Sequence, residues 1–463
     1  MRRFRLVMLA FVVLLALPAA TVRAADRMQI GFYDDLSFRY AADRLDNLAA
    51  AAATGASIIH TNASWAAIAP TKPANAADAS DPAYHLSDLD DLIAKAAQDG
   101  LRVMIDVSST PKWANGGKTP NYAPTRPSDL TAFTRMLATR YNGRPGSLGS
   151  VSLWSVWNEP NLGQFLLPQY AGKKIVSPSI YARIYKAAYA GIKAGNPTAK
   201  VAIGETSAQG RDHPAARGVS DTVAPGTFAR LLAQQKGLLF AAWAHHPYPT
   251  TPSSKPLQKV RYPNVTLSQL GNFEKTLKAA FKRTVPIWIT EYGHETKPGE
   301  PKGVTYAQQA AYAKLALKTA RADPNVAMFI WFTFRDAAGN PWQSGLEQPS
   351  GAPKPAYGAF RSLASSFDGQ TIVVRPGRAP RLTVYVPKIA YFTPAGAVVG
   401  VSYRVLDGTK IIAGGIPTAA LGTDQSVTFT PAFTPAKGHH YTVTANVNDI
   451  SGNTETETLT VLS

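Results

Sequence analysis

The 463-residue chain contains no cysteine, which removes disulfides, thiolate nucleophiles and thiolate metal ligands from consideration. Packing alone must hold such a fold, a condition that suits a large core better than a small cross-linked domain. Charge is also sparse, since Asp, Glu, Lys and Arg supply only 17% of the residues. Basic residues outnumber acidic ones by 48 to 30, yet no basic run interleaved with aromatics marks a nucleic-acid groove, and no nucleic-acid partner is expected. A Gly-rich phosphate turn is missing as well. The first apolar run ends in Phe32-Tyr33-Asp34-Asp35, which speaks against an open dinucleotide-binding sheet. No His/Asp/Glu spacing of the metalloenzyme kind occurs, so neither a metal nor a cofactor is expected.

Long hydrophobic runs are confined to Leu6–Leu17, shorter than the ~20 residues a membrane span needs. Arg2, Arg3 and Arg5 precede this run and Val22-Arg23-Ala24 follows it, the pattern of a secretory leader over residues 1–24. The expectation is therefore a secreted, extracellular or cell-surface-associated protein with no membrane span after cleavage. The leader carries four arginines and the segment from Thr371 has seven basic against five acidic residues. Of the net charge of +18, about +12 thus lies between them. A field of that sign can attract cell wall or another anionic polymer; the simpler reading is a solubility device.

What the chain does contain is alternation. Short β-rich apolar runs occur at Met28–Tyr33, Ser57–Thr61, Arg102–Val107, Val151–Trp157, Lys200–Gly204, Leu239–Ala244, Pro286–Thr290 and Val326–Phe332. Between them lie Ala-rich stretches of helical character, such as Leu86–Asp99, Leu130–Tyr141, Tyr181–Ala194, Thr227–Gln235 and Ala307–Ala322. Eight strands alternating with helices predict an α/β fold, a (β/α)8 TIM barrel, over residues 25–370. From about Thr371 strict two-residue alternation takes over, as in Leu382–Val386, Val398–Val405, Ser426–Thr430 and Tyr441–Val447. That texture predicts a small antiparallel β-sandwich over residues 371–463, reached through a linker at Gly369–Pro380. Its closing stretch, Tyr441–Asp449 with Ser451-Gly452-Asn453-Thr454, resembles bacterial immunoglobulin-like domains.

Barrel chemistry sits at the C-terminal strand ends. The fourth run leads into Trp157-Asn158-Glu159-Pro160 and the seventh into Thr290-Glu291-Tyr292-Gly293. Strands four and seven face each other across a barrel mouth, so these two carboxyls can meet over a bound sugar. A retaining glycosidase needs such a pair ~5–5.5 Å apart, one protonated and one ionised.

This pair of motifs resembles clan A of the glycoside hydrolases, in the manner of families 5 and 39, and the similarity spans Met28–Ser366. The resemblance implies that Glu159 is the acid/base and Glu291 the nucleophile of a double displacement on a polysaccharide or oligosaccharide, with β-linkage expected. It also implies that Asn158 binds a sugar 2-hydroxyl, that His246 lines the sugar site in His245-His246-Pro247-Tyr248, that Tyr248 hydrogen-bonds the nucleophile, and that Trp331 floors the glycone site. Trp65 and Trp113 either border the cleft or pack loops against the barrel, and Glu205 orients a neighbour. In one respect the chain departs from the clan, placing His60 where an arginine on strand two usually pairs with the nucleophile. The alternative readings are a transglycosylase remodelling an exopolysaccharide and a non-catalytic carbohydrate-binding or surface protein.

Overall fold

The computed structural model describes residues 28–368 and 370–463. The leader expected over residues 1–24 and residue Gly369 of the expected linker lie outside the described residues. Eight parallel strands close into a barrel. They are Gln29–Tyr33, Ile58–Ser64, Arg102–Ser108, Leu153–Val156, Lys200–Ser207, Ala242–His246, Ile287–Tyr292 and Val326–Phe332. Each pairs with the next, and the eighth closes on the first through Gln29↔Met328 to Tyr33↔Phe332. Asp34 reinforces the closure, its carboxylate accepting the backbone N–H groups of Phe334 and Arg335, each at 3.1 Å.

Two-residue alternation along the strands explains how the barrel is filled. Ile58, Met104, Leu153, Ala202, Ala244, Trp288 and Ile330 share one small buried cluster inside the barrel. Their neighbours Ile59, Val103, Trp154, Ile203, Trp243, Ile289 and Trp331 belong to the larger cluster between strands and helices. The outer layer includes helices Arg44–Ala53, Ser87–Gln98, Pro127–Arg140, Ser177–Gly195, Pro225–Leu232, Leu270–Phe281, Tyr306–Ala322 and Pro355–Asp368. Tyr306–Ala322 starts with a capping box, Thr305 accepting from the Gln308 backbone while the Gln308 side chain accepts from Thr305.

Several strand boundaries differ from expectation by up to three residues, and one of them bears on the site. Strand six starts at Ala242 rather than Leu239, because ladder pairing begins only where Ala242 meets Ala202. Leu239 is largely exposed and Phe240 packs on Phe281 instead. The shift carries the strand through His245 and His246.

The segment after the barrel forms a six-stranded sheet and a two-stranded sheet around their own apolar core. Four of its strands match the alternating runs, at Leu382–Tyr385, Val398–Asp407, Ser426–Phe429 and His440–Asn448. Gln370–Val373 joins the last strand, Thr454–Leu462, in parallel, so the larger sheet is not wholly antiparallel. This unit docks on the N-terminal end of the barrel. Ser150 donates to the Thr423 carbonyl at 3.0 Å, the Thr198 and Thr423 hydroxyls lie 2.6 Å apart, and Ala395 N–H donates to the Gly143 carbonyl at 2.8 Å. The C-terminal strand ends on the other side are left open.

Candidate active site

Backbone conformation aims the ionisable groups. Among the described residues, four of the six non-glycine residues with positive φ sit at the barrel mouth: Ser109, Trp157, Glu159 and Glu205. Such conformations persist only where surrounding contacts over-determine them. Trp157 is anchored by its ring N–H to the Phe165 carbonyl at 2.8 Å, and Asn161 ties the same turn to strand five by accepting from Ser207 N–H at 2.8 Å. In strand five Gly204 has φ +110°, and a Cβ there would lie 2.5 Å from the Trp243 ring. Only glycine fits, and the ladder to strand six shifts register here, turning Glu205 into the barrel. After Glu291, Gly293 allows the Phe332 carbonyl to approach to where a Cβ would stand at 2.2 Å.

These devices converge on His246, which is fully buried. Its Nδ1 lies 3.1 Å from Glu159 Oε1 and 3.6 Å from Glu291 Oε2, while its Nε2 lies 2.8 Å from Glu205 Oε2. Tyr248 donates its hydroxyl to Glu291 Oε2 at 3.0 Å, and Thr290 donates to Glu205 Oε2 at 2.7 Å. Beneath them Asn62 donates to Asp106 at 2.6 Å and to Ser108 at 2.8 Å.

The electrostatics follow from burial. Desolvation pushes Glu291 up to about 7; the Glu159 charge adds to this, while the His246 cation and the Tyr248 hydrogen bond resist it. Burial disfavours charge on His246, but Glu291, Glu159 and Glu205 outweigh that penalty and hold its pKa well above the usual histidine range. Burial also raises Asp106 well above the carboxylate range, helped by the charge of Glu205. His60 goes the other way, pushed down to about 4 by burial, so it is neutral at pH 7.

A cavity of about 480 Å³ contains both Glu159 and Glu291, walled by Tyr33, Tyr248, Phe332 and Trp342 among others. A second, of about 620 Å³, opens over strands one to four with Asp35, Asn62 and Trp157. Tyr33, Asn158, Gln164 and Phe165 border both, which makes them one continuous groove.

The structure thus brings Glu159, Glu291, Asn158, His246 and Tyr248 together. The other three expected site residues sit elsewhere. Trp331 belongs to the outward-facing set on strand eight; it is fully buried against Tyr292 and Phe360, with its ring N–H on the Ser344 carbonyl at 2.9 Å. Strand alternation hands its cleft position to Phe332. Trp113 donates to the Ala69 carbonyl at 2.9 Å and meets Trp65 edge-on, so both pack loops on the barrel. His60 points inward, but its Nδ1 lies 3.2 Å from the Thr290 carbonyl and contacts neither glutamate.

Several lining residues escaped the sequence reading. Phe332 was legible from its two-residue spacing to Ile330. Trp342 stacks on Tyr248 at 5.1 Å, and its only signal was an aromatic in the long loop after strand eight. Glu295, buried in the cleft wall and pushed up to about 7 by desolvation, had none. Among the described residues no cluster of His, Asp or Glu is arranged to hold a metal ion, and no helix is long and apolar enough to cross a membrane.

Comparison with known proteins bears on the fold and the family. The fold is similar to a family 39 glycoside hydrolase from Bacteroides cellulosilyticus WH2, with a TM-score of 0.54, 16% identity and coverage of 88% of this chain and 81% of that one. A GH39 β-xylosidase from Caulobacter crescentus gives 0.53 at 14% identity, over 89% and 98% of the two chains. GH5_18 from Streptomyces cattleya, in complex with GlcNAc, gives 0.52 at 16%, over 76% and 86%. At such identities these likenesses show the fold alone. No curated protein matches the chain. The sequence matches the Cellulase (glycosyl hydrolase family 5) family across residues 39–333, strand four and strand seven motifs included, and the chain belongs to that family of glycosidases.

Proposed function

We propose that the protein is a secreted retaining glycosidase that cuts β-linked polysaccharide or oligosaccharide by double displacement. The observation that carries this reading is the shared imidazole nitrogen. Oxygens 3.1 Å and 3.6 Å from one atom are at most 6.7 Å apart, and less unless collinear. That favours the ~5–5.5 Å spacing of direct attack over the ~6.5–9.5 Å that leaves room for an intervening water.

In the first step Glu291 attacks the anomeric carbon while Glu159 gives its proton to the departing glycosidic oxygen. The Tyr248 bond fixes one Glu291 oxygen and leaves the other for attack. In the second step the Glu159 carboxylate takes a proton from water, which attacks the same carbon and restores both groups. Asn158 on the groove wall is placed to hold the neighbouring sugar hydroxyl, and Phe332 and Trp342 offer ring faces to its C–H groups.

Secretion is supported by the basic–apolar–small pattern of residues 1–24, and the C-terminal sheets, docked away from the mouth, suit a spacer or attachment module. Trapping tests the chemistry. A 2-deoxy-2-fluoro glycosyl fluoride matched to a cleaved sugar is expected to label one peptide, the one containing Glu291, with the mass of the fluorosugar. A label on another residue, or none on an enzyme that turns over its natural glycan, would overturn the assignment.

A further inference from the structure

Glu205 takes no part in the two steps above, yet it is among the most deeply buried charged groups of the barrel, 1% exposed. The residues lining the two cavities include no lysine and no arginine. Glu291 therefore depends on His246 for a compensating positive charge. Both ring nitrogens of His246 face carboxylate oxygens, Nε2 toward Glu205 and Nδ1 toward Glu159 and Glu291. A neutral imidazole has one N–H and one lone pair, and the lone pair would face either the Glu205 carboxylate on one side or the ionised nucleophile Glu291 on the other. Two protons on the ring satisfy both sides.

Glu205 itself is held from two directions. Thr290, adjacent to the nucleophile, donates to Oε2, and the left-handed turn after Gly204 fixes the backbone. We propose that Glu205 is a positioning residue that fixes His246 as an imidazolium between Glu159 and Glu291, making this histidine the electrostatic support of the nucleophile. The inference rests on the reading of Glu291 as nucleophile, but its test does not require turnover.

The groups facing the ring from the surrounding strands are consistent with this. Glu159 comes from strand four, Glu205 from strand five, Glu291 from strand seven and Tyr248 from the turn after strand six. Burial keeps His60 on strand two and His245 beside His246 neutral, pushing them down to about 4 and about 3, and raises Asp106 on strand three above the carboxylate range. The positive charge is thus localised on one ring.

Ring-nitrogen NMR of the full chain labelled with ¹⁵N-histidine tests the proposal, the His246 signals being assigned by their loss in His246→Asn. In the wild type both nitrogens are expected to remain protonated at pH 7.5. In Glu205→Gln, which keeps the shape and removes the charge, the ring should lose a proton at lower pH. The alkaline limb of the kcat profile should move down with it, and kcat should fall roughly tenfold or more with little change in KM. Thr290→Val leaves the charge but frees the Glu205 carboxylate; a loss of a few-fold in kcat with both nitrogens still protonated is expected. If Glu205→Gln does not fold, the wild-type titration and Thr290→Val decide. A neutral His246 ring in the wild type at pH 7.5, or a folded Glu205→Gln with an unmoved ring titration, overturns the proposal. Failure to cleave any glycan with the ring doubly protonated would count against the glycosidase reading instead.

Discussion

The two ends of the barrel put buried charge to different uses. At the N-terminal end Arg102, 3% exposed, opens strand three. Its guanidinium donates to Ser152 at 2.8 Å and to the Asp424 carbonyl at 3.4 Å, and lies 4.1 Å from the Tyr385 ring. The Asp424 and Tyr385 contacts fasten the C-terminal sheets to the barrel. At the mouth three glutamates crowd one imidazole, and left-handed residues hold them there. Burial there, with the like charges of Glu159 and Glu205 adding to it, pushes the nucleophile up to about 7. At one end a buried cation joins two units, whereas at the mouth ionisable groups are set against each other.

The largest expected effect separates the two ends outright. Glu291→Gln should lower kcat by on the order of 10⁴-fold and leave the melting temperature unchanged or higher, because a repulsive buried charge is removed. A fall in stability would place Glu291 in the same structural class as Arg102.

The pH dependence sharpens the contrast. Attack requires ionised Glu291, so kcat/KM should rise with pH through about 7. Tyr248→Phe removes a bond that favours the carboxylate and should move this acidic limb upward. Glu159→Gln removes a repelling charge and should move it downward, while slowing turnover by about 10²–10⁴-fold. A pH–rate series on the three proteins reads both shifts, and a limb that stays put in both variants would separate it from Glu291.

At the other end, Arg102→Met should cost about 1–3 kcal/mol of stability by stranding its acceptors, seen as a lower melting temperature at unchanged kcat/KM. Trp342→Ala should have the smallest effect, weakening sugar stacking by about 1 kcal/mol, or roughly fivefold in KM. Calorimetry and steady-state kinetics on the two variants check these values.

The contrast also explains what was legible beforehand. Strand periodicity is a backbone property, and it located the barrel strands and several of the outer helices. Glu159 and Glu291 were readable because each ends an apolar strand. Trp331 was misplaced because a motif match ignores parity, and parity sends Trp331 outward and Phe332 inward. Glu205 was read as orienting a neighbour, but which neighbour was not legible, because its direction depends on a register shift at Gly204 that no local pattern announces. Trp342 and Glu295 reach the cleft through loops whose course is set by distant partners, such as the Gln343 side chain donating to the Ala337 carbonyl at 2.9 Å.

The central claim is that Glu159 and Glu291 act by double displacement, and the configuration of the first product tests it most directly. Proton NMR in the first minutes of cleavage of a β-glycan hydrolysed by the protein should show the β-anomer first, with the α-anomer appearing only as mutarotation proceeds. An α-anomer at the outset would mean that water attacks in a single step, and would contradict the account.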